Sequence, residues 1–126
     1  MMTLNNDRGT SLIEVLVVTV LLGVLAGIAI SQYATYKANG VDAKVASAAR
    51  QVATGQEAYY SNYLSYAADA EEIDGVVVDD VVIEVSAGNT GDLETSFRVE
   101  ASHPDAEHSY IWVSDPAPGE SHLSEV

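Results

Sequence analysis

The sequence predicts an α+β protein in which a long N-terminal α-helix packs on a small antiparallel sheet of three strands. Three observations lead to this fold class. An apolar segment lies near the N-terminus, an amphipathic helical pattern follows it, and the second half of the chain shows the two-residue alternation of short strands separated by turn residues. A chain of 126 residues has room for one domain.

Charge and cysteine content exclude several kinds of function. The 19 acidic and 5 basic residues give a formal net charge of −14, and residues 51–126 carry 16 acids against a single base, Arg98. This half lacks the clustered lysine and arginine with which proteins bind nucleic-acid phosphates or anionic membrane surfaces, so no direct nucleic-acid binding is expected. Because the chain has no cysteine, disulfides, thiolate nucleophiles and cysteine-based metal sites are excluded.

The first element is the apolar segment. Residues 15–36 contain no charged side chain, and these 22 residues span about 33 Å as a helix, enough to cross a bilayer. A secretory signal peptide is the alternative, with a cleavage site among residues 26–29. The segment runs on into helix-compatible sequence without a break, which favours a retained transmembrane helix.

Glu14 lies directly at the head of this apolar run. An ionisable side chain at membrane depth is costly and is by default a functional candidate. The same residue also completes a capping-box pattern with Ser11, in which the hydroxyl and the carboxylate satisfy free backbone N–H groups at a helix start. The two roles are compatible, and both stay open at this point.

Residues 8–36, RGTSLIEVLVVTVLLGVLAGIAISQYATY, resemble the N-terminal segment of type IV pilins and of the related pseudopilins of type II secretion. The shared features are a leader that ends in glycine, a carboxylate after a gap of four residues, and an apolar run around that carboxylate. The resemblance implies that residues 1–9 are a leader peptide, that prepilin peptidase cleaves between Gly9 and Thr10, and that the Thr10 amine is methylated. It also implies that Glu14 of one subunit meets the Thr10 amine of its neighbour during filament assembly.

Two positions depart from the family pattern. Thr10 stands where the family usually has Phe or Met, and Ser31 stands where most members have proline. Without that proline, no ring clash forces a break in the helix. A more regular helix is therefore expected, with Gly23 and Gly27 as the positions that give it flexibility.

An amphipathic helix is predicted to follow over residues 37–66. Six small or apolar positions recur at steps of four and three and so share one face, whereas polar and charged side chains, Asp42 among them, lie largely elsewhere. The face consists of Val41, Val45, Ala48, Val52, Gly55 and Tyr59. Asn39-Gly40 fits a turn, but the resemblance implies one long N-terminal helix, in which this pair is either a local softening or a stop.

Three strands are predicted over roughly residues 76–114. The first strand, residues 77–86, alternates in polarity but is interrupted by Asp79, which marks a bend or a bulge. Turn residues at 88–91 and 103–105 separate it from strands near 96–101 and 109–113. The last two strands resemble the final strand pair of small type IV pilin heads. The tail, residues 115–126, is expected to be mobile unless packing holds it.

No cofactor, metal or catalytic site is predicted. The acidic run over residues 69–80 misses the EF-hand ligand spacing, so a solvated loop is favoured over calcium binding. His103, His108 and His122 lack a zinc-ligand spacing and are interpreted as turn residues. No nucleophile elbow, phosphate-binding loop or dinucleotide fingerprint occurs in the sequence, so the protein is not expected to be an enzyme.

These features predict a structural subunit of a type IV pilus-like filament. The resemblance implies that residues 10–36 hold the precursor in the inner membrane, that residues 37–126 form a globular head, and that the subunit then enters an extracellular filament on the cell surface. Its partners are then identical subunits, prepilin peptidase and the assembly machinery of the inner membrane. Two alternatives stay open: a pseudopilin of a type II secretion system, and a membrane-anchored acidic binding domain that never polymerises.

Overall fold

A computed structural model describes Gly9 and residues 11–126. Thr10, for which cleavage, methylation and pairing of the amine are predicted, therefore lies outside the described residues, as do residues 1–8 of the leader. The elements in chain order are the helix α1 (Leu12–Tyr63), a short 3-10 helix (Ala70–Glu72), β1 (Val82–Ala87), β2 (Phe97–Ser102), β3 (Tyr110–Val113) and β4 (Leu123–Glu125). The strands form one antiparallel sheet in the order β1-β2-β3-β4. The α+β fold class is confirmed.

The chain divides into two compact units, one that ends at Tyr36 and one that covers Lys37–Val126. In the first unit, every side chain of α1 from Leu12 onward is exposed. α1 is therefore apolar and uncovered on all its faces in this unit, in contrast to a helix that belongs to a protein core.

The helix of the first unit is regular. It continues through Gly23 and Gly27 and through Ser31, where the sequence lacks the family's proline. The Ser31 hydroxyl donates a hydrogen bond to the carbonyl oxygen of Ile28 at 2.9 Å, which is a contact that leaves the helix intact. The regular helix expected here is present, and the flexibility assigned to the two glycines stays a prediction.

In the second unit, α1 buries one face. Val45, Ala49 and Val52 have no exposed surface, and Ala48 is buried as well. α1 continues through Asn39-Gly40 without a turn, so the reading as one long helix is confirmed. The apolar face predicted from the helical spacing is confirmed too.

The buried face of α1 packs against β2. Phe97, Val99 and Ala101 alternate with exposed or half-buried residues along β2 and have no exposed surface. Phe97 and Val99 share one apolar cluster with Val52, and Ala101 shares another with Val45. The helix-on-sheet core predicted from the two periodicities is therefore present.

β1 begins at Val82, later than the predicted start at residue 77. Asp79 and Asp80 form a turn that only Val81 separates from the strand, and Asp80 has a φ of 62°. This left-handed conformation is uncommon for residues other than glycine, and aspartate is one of the few that adopt it. The bend expected at Asp79 is present, and it shortens the strand.

The predicted count of three strands is wrong, because the sheet has four. The fourth strand, β4, comes from the tail, residues 115–126, for which mobility or packing was expected. It pairs with β3 in the register Tyr110↔Glu125, Ile111↔Ser124 and Trp112↔Leu123. A strand of three residues with one apolar side chain is too short to show a recognisable alternation, and its pairing depends on a partner strand that the tail alone does not reveal.

A buried glutamine connects α1 to the chain that follows it. The Gln56 side-chain amide donates to the carbonyl oxygen of Ala67 at 2.9 Å, and the Ala67 N–H donates to Gln56 Oε1 at 2.8 Å. Gln56 has no exposed surface and Ala67 almost none. The side chain thus satisfies both backbone groups of a residue that lies outside any helix or strand.

Candidate functional site

The predicted capping box is present at the start of α1. The Ser11 N–H donates to Glu14 Oε2 at 3.1 Å, and the Glu14 N–H donates to the Ser11 hydroxyl oxygen at 3.3 Å. Each side chain thus satisfies a backbone N–H group that the first helical turn leaves without a partner. The negative charge also interacts favourably with the positive end of the helix dipole.

Glu14 keeps further capacity as a hydrogen-bond acceptor. An ionised carboxylate has two acceptor oxygens, and among the residues that the structure describes, only Ser11 donates to this one. The side chain is exposed and is flanked by Ile13, Val17 and Val18. Glu14 is therefore an accessible negative charge within an otherwise apolar surface, and a cation can approach it.

The apolar surface behind Glu14 extends along the whole first part of α1. Its large side chains are between about half and four-fifths exposed, and they lie at Leu12, Ile13, Val15, Leu16, Val17, Val18, Val20, Leu21, Leu22, Val24, Leu25, Ile28 and Ile30. α1 is long and apolar enough near the N-terminus to cross a membrane, as judged from length and composition. An apolar surface of this size marks a site of contact with lipid or protein.

The hydroxyl groups of Thr19, Ser31 and Thr35 are satisfied within the helix. Thr19 Oγ1 donates to the carbonyl oxygen of Val15 at 2.7 Å, and Thr35 Oγ1 donates to that of Ser31 at 3.3 Å. Ser31 donates to Ile28 in the same way. Because these donors need no water, the segment can enter a hydrocarbon environment without leaving these three hydroxyls unsatisfied.

A second polar site lies in the head, around Asp42. Asp42 Oδ1 accepts hydrogen bonds from the backbone N–H groups of Glu107 at 2.8 Å and of His108 at 3.2 Å. Asp42 Oδ2 lies 2.8 Å from Nδ1 of His108, whose other ring nitrogen, Nε2, lies 3.3 Å from Glu125 Oε1. The cluster joins α1, the segment before β3, and β4.

The cluster shifts the pKa values of its members. The hydrogen bond with Asp42 raises the pKa of His108 above its usual 6.5; burial opposes this effect, and the negative charge of Glu125 adds to it. The hydrogen bond from His108 lowers the pKa of Asp42 below its usual 3.8, against the effect of burial and with help from the backbone N–H groups. Both directions favour the ion pair.

Two residues of the cluster, together with Glu107, lie close enough to one another to suggest a metal site. Asp42, Glu107 and His108 offer ligand atoms within 4.8 Å of one another. Both ring nitrogens of His108 already face carboxylate oxygens, and Asp42 receives hydrogen bonds at both of its oxygens. His108 and Asp42 therefore form an ion pair whose nitrogen and oxygen atoms already face protein groups. This arrangement does not support metal binding.

Sequence reasoning missed this cluster. Asp42 was expected to lie largely off the buried face, which is wrong because the residue is only 7% exposed. His103 does act in a turn, where its Nδ1 accepts from the Asp105 N–H at 3.0 Å. His108 instead bridges two elements. An aspartate within one helical turn of the buried Val45 was the available signal, and the partner could not be identified because it lies 66 residues away.

The comparisons with known proteins bear on the N-terminal segment. The model of the prokaryotic N-terminal methylation motif matches residues 4–30. This match includes Gly9, Thr10 and Glu14, and it is the signature of type IV pilins and pseudopilins, so the resemblance identified from the sequence is confirmed for that segment. No curated protein matches the chain.

The motif and the helix lead to the same coarse conclusion. The N-terminus carries the signature of a type IV pilin-like or pseudopilin precursor, and its apolar helix fits a membrane-anchored precursor. Proteins with this motif are generally structural. The head, residues 37–126, lies outside the matched region.

Proposed function

We propose that this chain is a structural subunit of a type IV pilus-like filament, cleaved after Gly9 by prepilin peptidase and polymerised through the apolar part of α1. One observation carries the proposal: the matched motif coincides with a helix that is apolar and exposed on every face and is headed by Glu14. Such a helix is stable only when lipid or other apolar segments surround it. The inner membrane surrounds it in the precursor, and copies of the same segment surround it in the filament.

Cleavage after Gly9 gives Glu14 a partner. The new α-amino group at Thr10 lies four positions before Glu14. Unpaired ammonium and carboxylate groups are each unfavourable in an apolar environment, whereas a pair with additional hydrogen bonds reduces both penalties. In the filament, the amine of one subunit meets the Glu14 carboxylate of the next. Head-to-tail contacts of this kind between identical subunits do not close, so they extend into a fibre.

The capping box allows a substitution at Glu14 that removes its charge and keeps its hydrogen bond. Glutamine also serves at the last position of a capping box, so Glu14→Gln keeps the hydrogen bond to the Ser11 N–H and removes only the negative charge. We expect Glu14→Gln to be processed and membrane-bound but to yield at most about a tenth of the wild-type filament, as one lost buried ion pair implies. Sheared filaments and membrane fractions are compared by immunoblot, and the mature mass is measured by mass spectrometry.

Two matched variants separate pairing from helix capping and from charge in general. Ser11→Ala removes the capping hydroxyl and leaves the carboxylate, and we expect it to assemble at near wild-type yield. Glu57→Gln removes an exposed acid from the second unit, with no expected effect on assembly. Wild-type yield for Glu14→Gln, or an equal loss for Ser11→Ala, contradicts the pairing role.

The same measurements separate the proposal from its alternatives. A mature chain that begins at Thr10 supports processing, and Gly9→Ala is expected to abolish the mass shift. An intact N-terminus with no filament supports a non-polymerising membrane-anchored domain. A processed chain that is recovered only with secretion machinery supports a type II secretion pseudopilin, which shares the same motif.

A further inference from the structure

β4 is held to the rest of the head by few contacts. It has three residues and, within residues 11–126, pairs with β3 alone, which leaves its outer edge open there. Leu123 is its one side chain in the apolar core cluster around Val45, and this leucine is only half-buried. Backbone hydrogen bonds provide further contacts around β4. The Val113 N–H donates to the His122 carbonyl oxygen at 2.8 Å, and the N–H groups of Ser109 and Val126 each donate to the other residue's carbonyl oxygen, at 3.0 and 2.9 Å.

His108 adds a charged connection between β4 and α1. Its Nδ1 lies 2.8 Å from Asp42 Oδ2 in α1, and its Nε2 lies 3.3 Å from Glu125 Oε1 in β4. Ionised carboxylates only accept hydrogen bonds, so a ring nitrogen that hydrogen-bonds to a carboxylate must carry a proton. Nδ1 hydrogen-bonds to Asp42, and Nε2 lies within ion-pair distance of Glu125, so the positively charged imidazolium is the form of His108 that both carboxylates favour.

We propose that protonated His108 is a pH-sensitive clasp that holds the C-terminal strand β4 to the head and releases it as the pH rises. Neutral imidazole can donate from only one nitrogen. The shorter contact is to Asp42, which is nearly buried and is fixed by two backbone N–H groups, whereas Glu125 is exposed. Deprotonation therefore removes the Nε2 contact to Glu125, and β4 loses its charged connection to α1 and keeps the apolar contact of Leu123.

The charged groups around His108 set the pH range of the clasp. Asp42 faces it from α1, Glu107 lies beside it in the chain, and Glu125 faces it from β4, while the Tyr110 hydroxyl of β3 lies 3.4 Å from Glu125 Oε2. Neighbouring carboxylates favour the charged form of an imidazole. The pKa of His108 is raised, so its contribution is fully present below its usual 6.5 and is lost as the pH rises through the higher value in the folded protein. The pKa of Asp42 is lowered, so its contribution is lost only on strong acidification, below its usual 3.8.

Hydrogen exchange of the full chain in detergent micelles tests the clasp. Protection factors, which are corrected for the intrinsic pH dependence of exchange, are compared at pH 6 and pH 9 for peptides of residues 109–126 and of residues 82–102. We expect the C-terminal peptides to lose protection about twofold to fivefold at the higher pH, the range typical of one partly exposed ion pair. The peptides from β1 and β2 are expected to keep theirs. Nitrogen-15 NMR is expected to show both ring nitrogens of His108 protonated at pH 6.

Three variants identify the responsible residue. His108→Asn keeps a donor near the Nδ1 position but cannot titrate, and Glu125→Gln removes the charge at an exposed site without altering Asp42. We expect both to show low protection of the C-terminal peptides at both pH values. His122→Asn is the matched control, because His122 lies in the same tail, where its Nδ1 contacts the Val113 carbonyl oxygen at 2.8 Å. We expect this control to retain the pH response.

Three results would overturn the clasp. The first is a neutral His108 ring at pH 6. The second is a pH response that disappears in His122→Asn and survives in Glu125→Gln. The third is a loss of protection that is equal in the C-terminal peptides and in residues 82–102, since this would reflect unfolding of the whole head.

Discussion

The two parts of α1 belong to one helix but differ in how much of their apolar surface is buried. From Leu12 to Tyr36 every side chain is exposed, and Leu25, for example, is 63% exposed. In the second unit the apolar side chains share one face, and Val45 and Val52 on that face have no exposed surface. The second part covers its apolar surface with residues of its own chain. The first part has no such cover from the residues that the structure describes.

The residue types fit this division. The buried face of the second part is rich in small residues, including Ala48, Ala49, Ala53 and Gly55, which allow close approach of the packed chain. The first part presents leucine, valine and isoleucine on all faces and has no charge between Val15 and Tyr36. An amphipathic stripe specifies a sheet to pack on, whereas apolar residues on all faces specify an apolar environment.

The largest expected effect comes from truncating the core of the head. Phe97→Ala removes a completely buried ring that contacts Tyr66, with ring centroids 4.6 Å apart. We expect a loss of about 3–5 kcal/mol in the free energy of unfolding of the head, from lost burial and the cavity that remains. The measurement is denaturant unfolding of the full chain in micelles, followed by the fluorescence of Trp112, the one tryptophan.

The matched control truncates an aliphatic side chain of the first unit. Leu21 is 57% exposed, so we expect Leu21→Ala to leave the unfolding midpoint of the head unchanged. Equal destabilisation by the two variants would contradict the division of α1 into a part covered by its own chain and a part that is not.

A smaller effect is expected from the buried amide of the head. Gln56→Leu keeps an apolar side chain of similar size but leaves the N–H and carbonyl groups of Ala67 buried and unpaired. We expect a loss of about 1–3 kcal/mol in the free energy of unfolding. Gln51→Leu is the control, because Gln51 is exposed on the same helix, and its effect is expected to be close to zero. If Gln56→Leu leaves the free energy of unfolding unchanged, water satisfies the backbone groups of Ala67 instead.

Periodicity predicted most of the fold because it reports local geometry. The buried face of α1, the alternation of Phe97, Val99 and Ala101, and the capping box of Ser11 and Glu14 all depend on residues close together in the chain. In each case, the spacing alone determines which side chains share a face or reach a backbone group.

The missed features depend on distant residues. Asp42 is buried because backbone N–H groups of Glu107 and His108 cover it, and β4 exists because β3 offers a free edge. Neither partner can be identified from the residues around Asp42 or in the tail. For the same reason, the sequence revealed the motif around Glu14, which is local, and missed the His108 cluster, which connects three separated segments.

The last predictions concern glycines and include the smallest expected effects, and they test the contrast between the two parts of α1 most directly. A Cβ atom at Gly23 or Gly27 would meet nothing within 4 Å, whereas at Gly55 it would lie 2.6 Å from Ile73 Cγ2 and 2.8 Å from Val76 Cγ2. Ile73 is buried and has little room to move. Alanine should therefore have opposite effects in the two parts of the same helix.

We expect Gly55→Ala to destabilise the head by about 1–3 kcal/mol, because the cost of overpacking exceeds the gain in helix propensity. Gly23→Ala and Gly27→Ala should each stabilise the helix by about 0.5–1 kcal/mol, seen as slower amide exchange around each site in micelles. If these two glycines provide flexibility during assembly, the double variant will show slower exchange together with a lower filament yield. Slower exchange with wild-type yield would mean that assembly does not need the helix to loosen there, and that Glu14 and the apolar surface suffice.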